Sequence, residues 1–344
     1  MEKTRLGKTD LMVSRTSFGA IPLQRLSDED AQTLLRAAFD GGINFYDSAR
    51  MYSTSDYRVG HMLADVRDQI IIATKTFATN TEEFDKDLAT SLSEIGSYID
   101  IYQFHNPSFC PRPGGADGAY NAMLKAKDEG KIRYIGITSH RTELAKEMVK
   151  SGLYDTLQFP MSSLATDEEI DLIKMCQDHD VGFIAMKAMA GGILTNAKSA
   201  FAFIRQYENV VPIWGIEHLW QLEEILGFEK NPPVLDDKMW EIIKKDRAEL
   251  ADGFCRGCGY CLPCPAEIQI PMATRIALII RRSAWQGYVT EEWQENMQKI
   301  SNCVDCGHCS KHCPYDLDAP ALLRENLEFY EKFVAENPVN TNHG

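Results

Sequence analysis

Eight of the ten cysteines in this 344-residue chain lie in two short arrays near its C-terminal end. In each array, three cysteines follow one another with two residues between them and a fourth comes soon after: Cys255, Cys258, Cys261 and Cys264, then Cys303, Cys306, Cys309 and Cys313. A long chain in a reducing compartment does not need a disulfide framework, so clustered cysteines indicate metal. Three cysteines in succession wrap one zinc ion poorly, but each of them can hold one iron of a cubane. The arrays therefore predict two 4Fe-4S clusters.

The spacing of the second array supports this prediction. It reads C-x2-C-x2-C-x3-C-P and ends in Cys313 and Pro314, a spacing in which the fourth cysteine ligates the other cluster of a pair. The first array, followed by Pro265, is one residue shorter before Cys264, so that cysteine departs from the pattern. Structural zinc and a single cluster with spare thiols stay as alternatives. The C-x3-C-x2-C triad of radical S-adenosylmethionine enzymes is absent.

A second group of reactive residues comes earlier in the chain, where short apolar runs end. Asp47, Lys75 and His105 end or follow three such runs, and Tyr52 lies shortly after Asp47. A lysine held by an aspartate favours phenolate over phenol, so Lys75 is expected to lower the pKa of Tyr52. A histidine opposite could donate a hydrogen bond to a carbonyl oxygen while the phenol delivers a proton. Each residue alone has an ordinary structural explanation, but the four together predict the proton-transfer half of carbonyl reduction.

Composition and charge exclude several functions. The formal net charge is -14 and Lys and Arg form no basic stripe, so nucleic-acid binding is not expected. The sequence shows neither a signal peptide nor a run of about 18 apolar residues. We therefore expect a cytoplasmic protein without membrane association. The residues expected to be inert are the loop and core thiols and two solvent-facing histidines: Cys110, Cys176, His308 and His312.

Eight apolar runs suited to buried strands alternate with amphipathic stretches suited to helices. The runs cover residues 16–21, 43–46, 70–74, 99–104, 134–138, 156–160, 182–186 and 210–214. Strands that are apolar on both faces and recur about every 30 residues predict an α/β fold, a (β/α)8 TIM barrel. An open doubly wound sheet is the competing fold, but no G-x-G-x-x-G follows the first strand.

A Pro-rich break, "EKNPPVLDDK", marks the end of this repeating part. We predict a barrel over 1–230, a linker with a connecting helix over 231–252, and a small helical iron–sulfur domain over 253–320. A closing helix and a frayed polar tail follow over 321–344.

The stretches "INFYDSARMYSTSDYRVGHML", "IIATKT" and "IYQFHNP" resemble the aldo-keto reductases, and the resemblance extends to about residue 228. It implies a barrel with an extended nicotinamide cofactor across its mouth. It also implies that Asp47, Tyr52, Lys75 and His105 form a catalytic tetrad.

The same resemblance assigns contacts to the cofactor's carboxamide. In "IGITSH" these are Thr138 and Ser139, and in "LQFP" the contact is Gln158.

Two departures from the family pattern concern the rest of the cofactor. Where many members place Lys and Arg against a 2'-phosphate, this chain has Gly215 and Gln221, with Glu217 nearby. A carboxylate repels a phosphate but accepts from a ribose hydroxyl, which favours NADH over NADPH. Met186 replaces an aromatic residue that usually stacks on the nicotinamide. Its neighbour Lys187 is expected to contact a pyrophosphate or an anionic substrate, or else to be a surface lysine.

The whole arrangement resembles a subgroup of aldo-keto reductases with a ferredoxin-like C-terminal domain. The leading hypothesis is an oxidoreductase that reduces a small carbonyl compound or oxidises the alcohol. A nicotinamide gives up two electrons at once and a cubane accepts one, so the expected partner of the clusters is a ferredoxin-type carrier. Two rivals stay open: an electron-transfer subunit whose barrel only binds nucleotide or a partner, and clusters that are purely structural.

Overall fold

The computed structural model describes residues 1–250, 253–282 and 285–337. Its strands are β1 Lys3–Arg5, β2 Met12–Ser14, β3 Ser17–Gly19, β4 Phe45–Asp47, β5 Ile71–Thr76, β6 Ile99–Phe104, β7 Ile132–Thr138, β8 Thr156–Pro160, β9 Gly182–Met186 and β10 Val210–Gly215. Its α-helices are α1 Asp28–Asp40, α2 Ser55–Met62, α3 Thr81–Ile95, α4 Ala119–Asp128, α5 Thr142–Lys150, α6 Asp167–Asp178, α7 Ala197–Arg205, α8 Leu219–Lys230, α9 Asp237–Glu249, α10 Ile270–Ala273, α11 Ile276–Arg282, α12 Glu291–Gln298, α13 His308–Lys311 and α14 Ala319–Glu336. The tail predicted to be frayed, residues 337–344, lies outside the described residues from 338 onward.

Eight parallel strands close into a barrel in the order β10-β3-β4-β5-β6-β7-β8-β9. Each strand overlaps one of the eight apolar runs, so the predicted barrel is confirmed. The strands are almost wholly buried, because helices cover their outer faces and side chains fill the interior. Their carboxyl ends all lie at one mouth of the barrel.

The short hairpin of β1 and β2 was not predicted. Its strands pair antiparallel, with Thr4 opposite Val13. Leu6, Leu11 and Val13 are buried in one cluster with apolar side chains from the barrel strands, so the hairpin closes the barrel's interior on one side. Gly7 makes this possible, since its φ is +56° and a Cβ there would lie 2.1 Å from the backbone nitrogen of Gly182.

Helix termini follow their local sequence signals. Ser27 caps α1 by accepting a hydrogen bond from the backbone N–H of Asp30, and Thr166 forms a reciprocal capping box with Glu169 at α6. α3 ends at Gly96, which adopts the left-handed conformation. The two N-terminal caps fix where the loops before α1 and α6 end, and these loops lie at the barrel mouth.

The chain divides into two compact units, residues 1–188 with 197–243, and residues 189–196 with 244–344. The domain limits from the sequence, at 230, 252 and 320, stay predictions. The second unit has its own apolar core, built from α10, α11, α12 and α14 around side chains such as Ile276, Met297 and Leu323. Tyr330 fastens α14 by donating its hydroxyl to the carbonyl of Tyr288 at 2.8 Å. Among the described residues, no helix has both the length and the apolar character needed to cross a membrane.

Candidate functional site

Four polar side chains meet where neighbouring barrel strands end. Asp47 is the last residue of β4, Lys75 is next to last in β5, and His105 follows β6, while Tyr52 lies in the loop after β4. The first three side chains are buried, at 2%, 1% and 7% exposure. The structure thus brings together all four residues proposed as a tetrad from the sequence.

An ion pair lies at the centre of this group. The ammonium of Lys75 donates to Asp47 Oδ2 at 2.7 Å and to the carbonyl of Ser48 at 2.5 Å. Two amides complete the shell of the carboxylate: Gln103 donates to Oδ1 and Gln158 donates to Oδ2, each at 3.3 Å. Gln103 also donates to the amide oxygen of Gln158 at 3.0 Å. Every partner is buried, so the group is a connected polar network inside an apolar barrel.

The electrostatics of the pair balance burial against attraction. Burial raises the pKa of the Asp47 carboxyl, and the Lys75 ammonium and the two amide donors oppose that rise. Burial likewise lowers the pKa of Lys75, against the attraction of Asp47. Removing either partner leaves the other as an uncompensated buried charge.

The pKa of Tyr52 shifts in the opposite direction from the one expected. Burial raises it, and the negative charges of Asp47 and Asp56 raise it further. The Lys75 ammonium lies 5.2 Å from the centroid of the phenol ring and is held by Asp47 and Ser48. Because its charge is largely offset by the carboxylate, it does not lower the pKa of the phenol. Tyr52 is therefore a proton donor that keeps its proton to high pH.

Asp56, which was not singled out in the sequence, anchors the segment that carries Tyr52. It is 1% exposed and accepts hydrogen bonds from Thr74 Oγ1 at 2.8 Å and Ser91 Oγ at 2.9 Å. These bonds tie α2 to β5 and α3. An acidic residue at the first turn of a helix usually has no such role, so local sequence did not mark it.

His105 lies between two aromatic rings. Phe77 stacks on its imidazole with centroids 4.2 Å apart, and the ring of Tyr52 approaches edge-on at 6.2 Å. Burial lowers the pKa of His105 well below its usual value, and the charges of Lys75 and Lys187 act in the same direction. The imidazole is therefore neutral near pH 7 and can donate a hydrogen bond through one ring nitrogen.

A second buried histidine, His140, lies close enough to act on His105 and was missed from the sequence. It is 5% exposed, and its backbone N–H donates to Asn106 Oδ1 at 3.2 Å. Burial and the charge of Lys187 also lower the pKa of His140. In the sequence, its position directly after "ITS", at the end of β7, is the feature that could have indicated a site residue.

The residues proposed to hold the carboxamide lie at the ends of β7 and β8. Thr138, Ser139 and Gln158 are buried. The Thr138 hydroxyl accepts from the backbone N–H of Asn106 at 2.8 Å, and the Ser139 hydroxyl donates to the carbonyl of Arg141 at 3.1 Å. Their contact with a cofactor stays a prediction.

The proposed site for the adenosine end contains an ion pair that the sequence did not reveal. Arg25 donates to both carboxylate oxygens of Glu217, at 3.0 and 2.8 Å, which lowers the pKa of Glu217. The side-chain oxygen of Gln221 accepts from the backbone N–H groups of Glu217 and His218, so it caps α8. Gly215 ends β10 and is exposed. Glu217 is thus an anion whose charge is already offset.

Met186 and Lys187 mark the end of β9. Met186 is the last strand residue and is half-buried. Lys187 has a φ of +62°, a conformation that few residues other than glycine adopt. It contributes positive charge beside the two histidines.

The eight cysteines of the arrays line two cavities in the second unit. The first-motif cavity is lined by Cys255, Cys258, Cys261, Cys309 and Cys313. The second-motif cavity is lined by Cys261, Cys264, Cys303, Cys306 and Cys309. Each cavity therefore has three cysteines from one array and the last cysteine of the other, with Cys261 and Cys309 bordering both. Cys264, whose spacing was unusual, lies beside the second array.

The donor set fits iron–sulfur clusters. All ten cysteines are free of disulfide bonds. Burial raises the pKa of Cys261 to about 12, and its neighbours Cys255 and Cys258 add to that rise. Thiolates this close repel one another, so a bound cation is needed to keep them ionised. Among the described residues, no three His, Cys, Asp or Glu side chains are arranged to hold a single ion.

One expectation about the histidines is wrong. His308 is only half-exposed: it lines the second-motif cavity, and its Nε2 is buried without a hydrogen-bond partner among the described residues. It stacks on the exposed His312 at 4.0 Å. The other two cysteines behave as expected, since Cys110 and Cys176 are buried outside both cavities.

Comparison with known proteins agrees with both parts of the chain. The model of the aldo/keto reductase family matches residues 16–201, and the model of a 4Fe-4S dicluster domain matches residues 254–318. Fold and site therefore define an oxidoreductase barrel joined to an iron–sulfur domain. The chain belongs to the aldo/keto reductase family.

Individual relatives cover the barrel. L-galactose dehydrogenase of Arabidopsis thaliana is 30% identical over 215 residues, which cover 57% of this chain and 67% of that protein. The NADH-specific methylglyoxal reductase of Escherichia coli (strain K12) is 26% identical over 226 residues, covering 57% and 69%. The structure of the aldo-keto reductase AKR11C1 from Bacillus halodurans superimposes with a TM-score of 0.63 at 23% identity, over 72% of this chain and 96% of that one. This last similarity supports the fold alone.

Proposed function

We propose that the barrel catalyses the reduction of a small carbonyl compound, or the reverse oxidation, at the mouth formed by Tyr52 and His105. The observation that carries this proposal is the buried pair of Lys75 and Asp47, which is costly to maintain and lies beside a protonated phenol and a neutral imidazole.

Each residue has a separate task in this reaction. When bound, a nicotinamide would supply the hydride for the carbonyl carbon. The neutral His105 donates a hydrogen bond to the carbonyl oxygen, which polarises it. Tyr52 gives its hydroxyl proton to that oxygen as the alcohol forms, and the phenolate is reprotonated from water. Lys75, held by Asp47, keeps its ammonium 5.2 Å from the centroid of the Tyr52 ring and so positions the phenol.

NADH is the proposed nicotinamide. The ion pair of Arg25 and Glu217 supports this choice. The guanidinium of Arg25 donates to both carboxylate oxygens of Glu217. A 2'-phosphate would have to displace Glu217 before it could bind Arg25. The name of the Escherichia coli relative, an NADH-specific reductase, supports the same choice.

We also propose that the cysteine cavities hold two 4Fe-4S clusters that exchange electrons with a ferredoxin-type carrier. Such clusters supply one electron at a time. The first-motif cavity would use Cys255, Cys258, Cys261 and Cys313, and the second-motif cavity would use Cys264, Cys303, Cys306 and Cys309.

The experiment compares two tyrosines of the same region in the full chain, purified anaerobically. Tyr52→Phe removes the proton donor and keeps the ring, whereas Tyr57→Phe removes the hydroxyl of an exposed ring on α2 that stacks on His61. With methylglyoxal and benzaldehyde as probes and NADH as reductant, Tyr52→Phe should lower kcat/KM by at least about a hundredfold. Tyr57→Phe should retain the parental value.

Iron content and thermal unfolding serve as controls for folding in both variants. If folded Tyr52→Phe turns over as fast as Tyr57→Phe, the barrel is a nucleotide-binding or partner-binding module, and the carbonyl proposal is wrong.

A further inference from the structure

Arg275 is a buried cation of the second unit that has no carboxylate partner among the residues the structure describes. It lies just before α11, is 6% exposed, and burial lowers the pKa of its guanidinium. Within the described parts of the chain, no Asp or Glu forms an ion pair with it or shifts its pKa. A buried charge without a counter-ion is strongly unfavourable, so this position requires an explanation.

Hydrogen bonds hold the guanidinium in one place. Its Nε donates to the carbonyl of Pro271 and its Nη1 donates to the carbonyl of Gly191, both at 2.7 Å. Carbonyl oxygens orient the group but do not neutralise it. The charge therefore stays in the interior of the unit at a defined point.

That point lies against the first cysteine array. A Cβ added to Gly257, between Cys255 and Cys258, would lie 3.0 Å from three atoms of the guanidinium. As thiolates, the same two cysteines attract the guanidinium and raise its pKa against the effect of burial. A fixed positive charge thus lies beside the first cysteine array.

An arginine at the other end of this segment, in α11, shows the contrast. Arg282 is partly buried, and it forms ion pairs with Asp246 and Glu249. Within the described parts of this unit, the fold therefore supplies carboxylates to the guanidinium of Arg282 and none to that of Arg275. A cubane with four thiolate ligands has a net negative charge, and its reduction adds one more, so a cluster would supply the missing charge.

We infer that Arg275 is the counter-charge of the cluster in the first-motif cavity, where it stabilises the reduced state and sets that cluster's reduction potential above the value it would otherwise have. This inference depends on the cluster assignment of the cavities and not on the carbonyl chemistry of the barrel.

The test is a potentiometric titration of the full-length, iron-loaded protein, followed by electron paramagnetic resonance. Arg275→Gln should make one of the two clusters at least about tenfold harder to reduce, a downward shift of about 59 mV for one electron. Arg275→Lys, which keeps the charge, should restore most of that shift. Arg281→Gln is the matched control, because it removes an exposed positive charge from the adjoining helix α11, where Arg281 lies over the ring of Phe329.

Each outcome decides the question. Selective loss of four of the eight irons in Arg275→Gln, with full loading of Arg275→Lys, also supports a counter-charge. Unchanged potentials in Arg275→Gln, equal shifts in Arg281→Gln, or equal iron loss in both Arg275 variants would overturn it. If the parent protein itself binds no iron, the cluster proposal is refuted instead.

Discussion

The ammonium of Lys75 lies 2.7 Å from Asp47 Oδ2, and neither side chain is more than 2% exposed. Burying both charges costs desolvation energy that their attraction repays only with good geometry and further hydrogen bonds. Gln103, Gln158 and the carbonyl of Ser48 supply those bonds. The pair is therefore a structural element as well as a chemical one, and mutations can separate the two roles.

Lys75→Met should destabilise the protein by about 3–5 kcal/mol, because it leaves the Asp47 carboxylate buried without a cation. The double variant Asp47→Asn with Lys75→Met removes both charges and should recover most of that stability. Both variants should lose at least about a hundredfold in kcat/KM for carbonyl reduction. Thermal unfolding and steady-state kinetics measure the two effects. Activity in the double variant close to that of the parent would show that the pair is only structural.

The pH dependence should differ between the two reaction directions. The pKa of Tyr52 is raised and that of His105 is lowered, so the phenol stays protonated and the imidazole neutral between about pH 6.5 and 10. Carbonyl reduction needs these forms, so its kcat/KM should be flat over that range. Alcohol oxidation needs the phenolate, so its kcat/KM should rise about tenfold per pH unit. A reduction profile that falls with an apparent pKa near 8 would contradict this assignment.

Glu217→Gln should shift the nucleotide preference toward NADPH. The substitution releases the guanidinium of Arg25, which then can bind a 2'-phosphate. The ratio of NADPH to NADH affinity should rise by about tenfold or more, measured by fluorescence titration. Glu223→Gln removes a carboxylate from the exposed part of α8 and serves as the control. Equal ratios in the two variants would show that the Arg25–Glu217 pair does not contact the nucleotide.

Each cysteine array should supply the last ligand of the other cluster. Cys264→Ser should then impair the cluster of Cys303, Cys306 and Cys309, while Cys313→Ser should impair the cluster of the first array. The parent should contain about eight irons with matching acid-labile sulfide. In Mössbauer and paramagnetic resonance spectra, Cys264→Ser should lose the signal of one cluster and Cys313→Ser the signal of the other. Identical spectra would argue against this exchange of ligands, and stoichiometric zinc without sulfide would refute the clusters.

NADH alone should leave the cluster spectrum oxidised. A hydride carries two electrons and a cubane normally accepts one, so direct transfer between them is unfavourable without a flavin. Dithionite or a reduced ferredoxin should bleach the visible absorption. Rapid bleaching by NADH in protein shown to be free of flavin would mean that the nicotinamide and the clusters exchange electrons directly.

The barrel could be predicted from sequence because its strands are short, apolar on both faces and regularly spaced. The hairpin of β1 and β2 could not, since three-residue strands are too short to show a period. Asp47, Lys75 and His105 could be found because each ends an apolar run. Gln103 could not, because its partners lie about 55 residues away in sequence and only the closed barrel brings them together.

The direction in which the pKa of Tyr52 shifts and the surroundings of Arg275 also could not be predicted from the sequence. A nearby lysine lowers a phenol's pKa only if its charge is not already engaged, and the structure shows that the ammonium of Lys75 is held by Asp47. Arg275 lies in an unremarkable stretch of sequence, and its proximity to the first array depends on the packing of α11. Such relationships arise from tertiary contacts that leave no local pattern.

The exchange of cysteines between the two cavities also bears on how the protein is made. A ribosome delivers the chain from its N-terminus, so the first array emerges well before the second. At that moment the first-motif cavity lacks Cys313, and the cysteines that join Cys264 in the second-motif cavity have not been translated. If the cavities hold the two proposed clusters, neither cluster can be completed on a partial chain that ends between the arrays. On the proposed assignment, iron–sulfur insertion would therefore be a late step in biosynthesis, which waits for the second array.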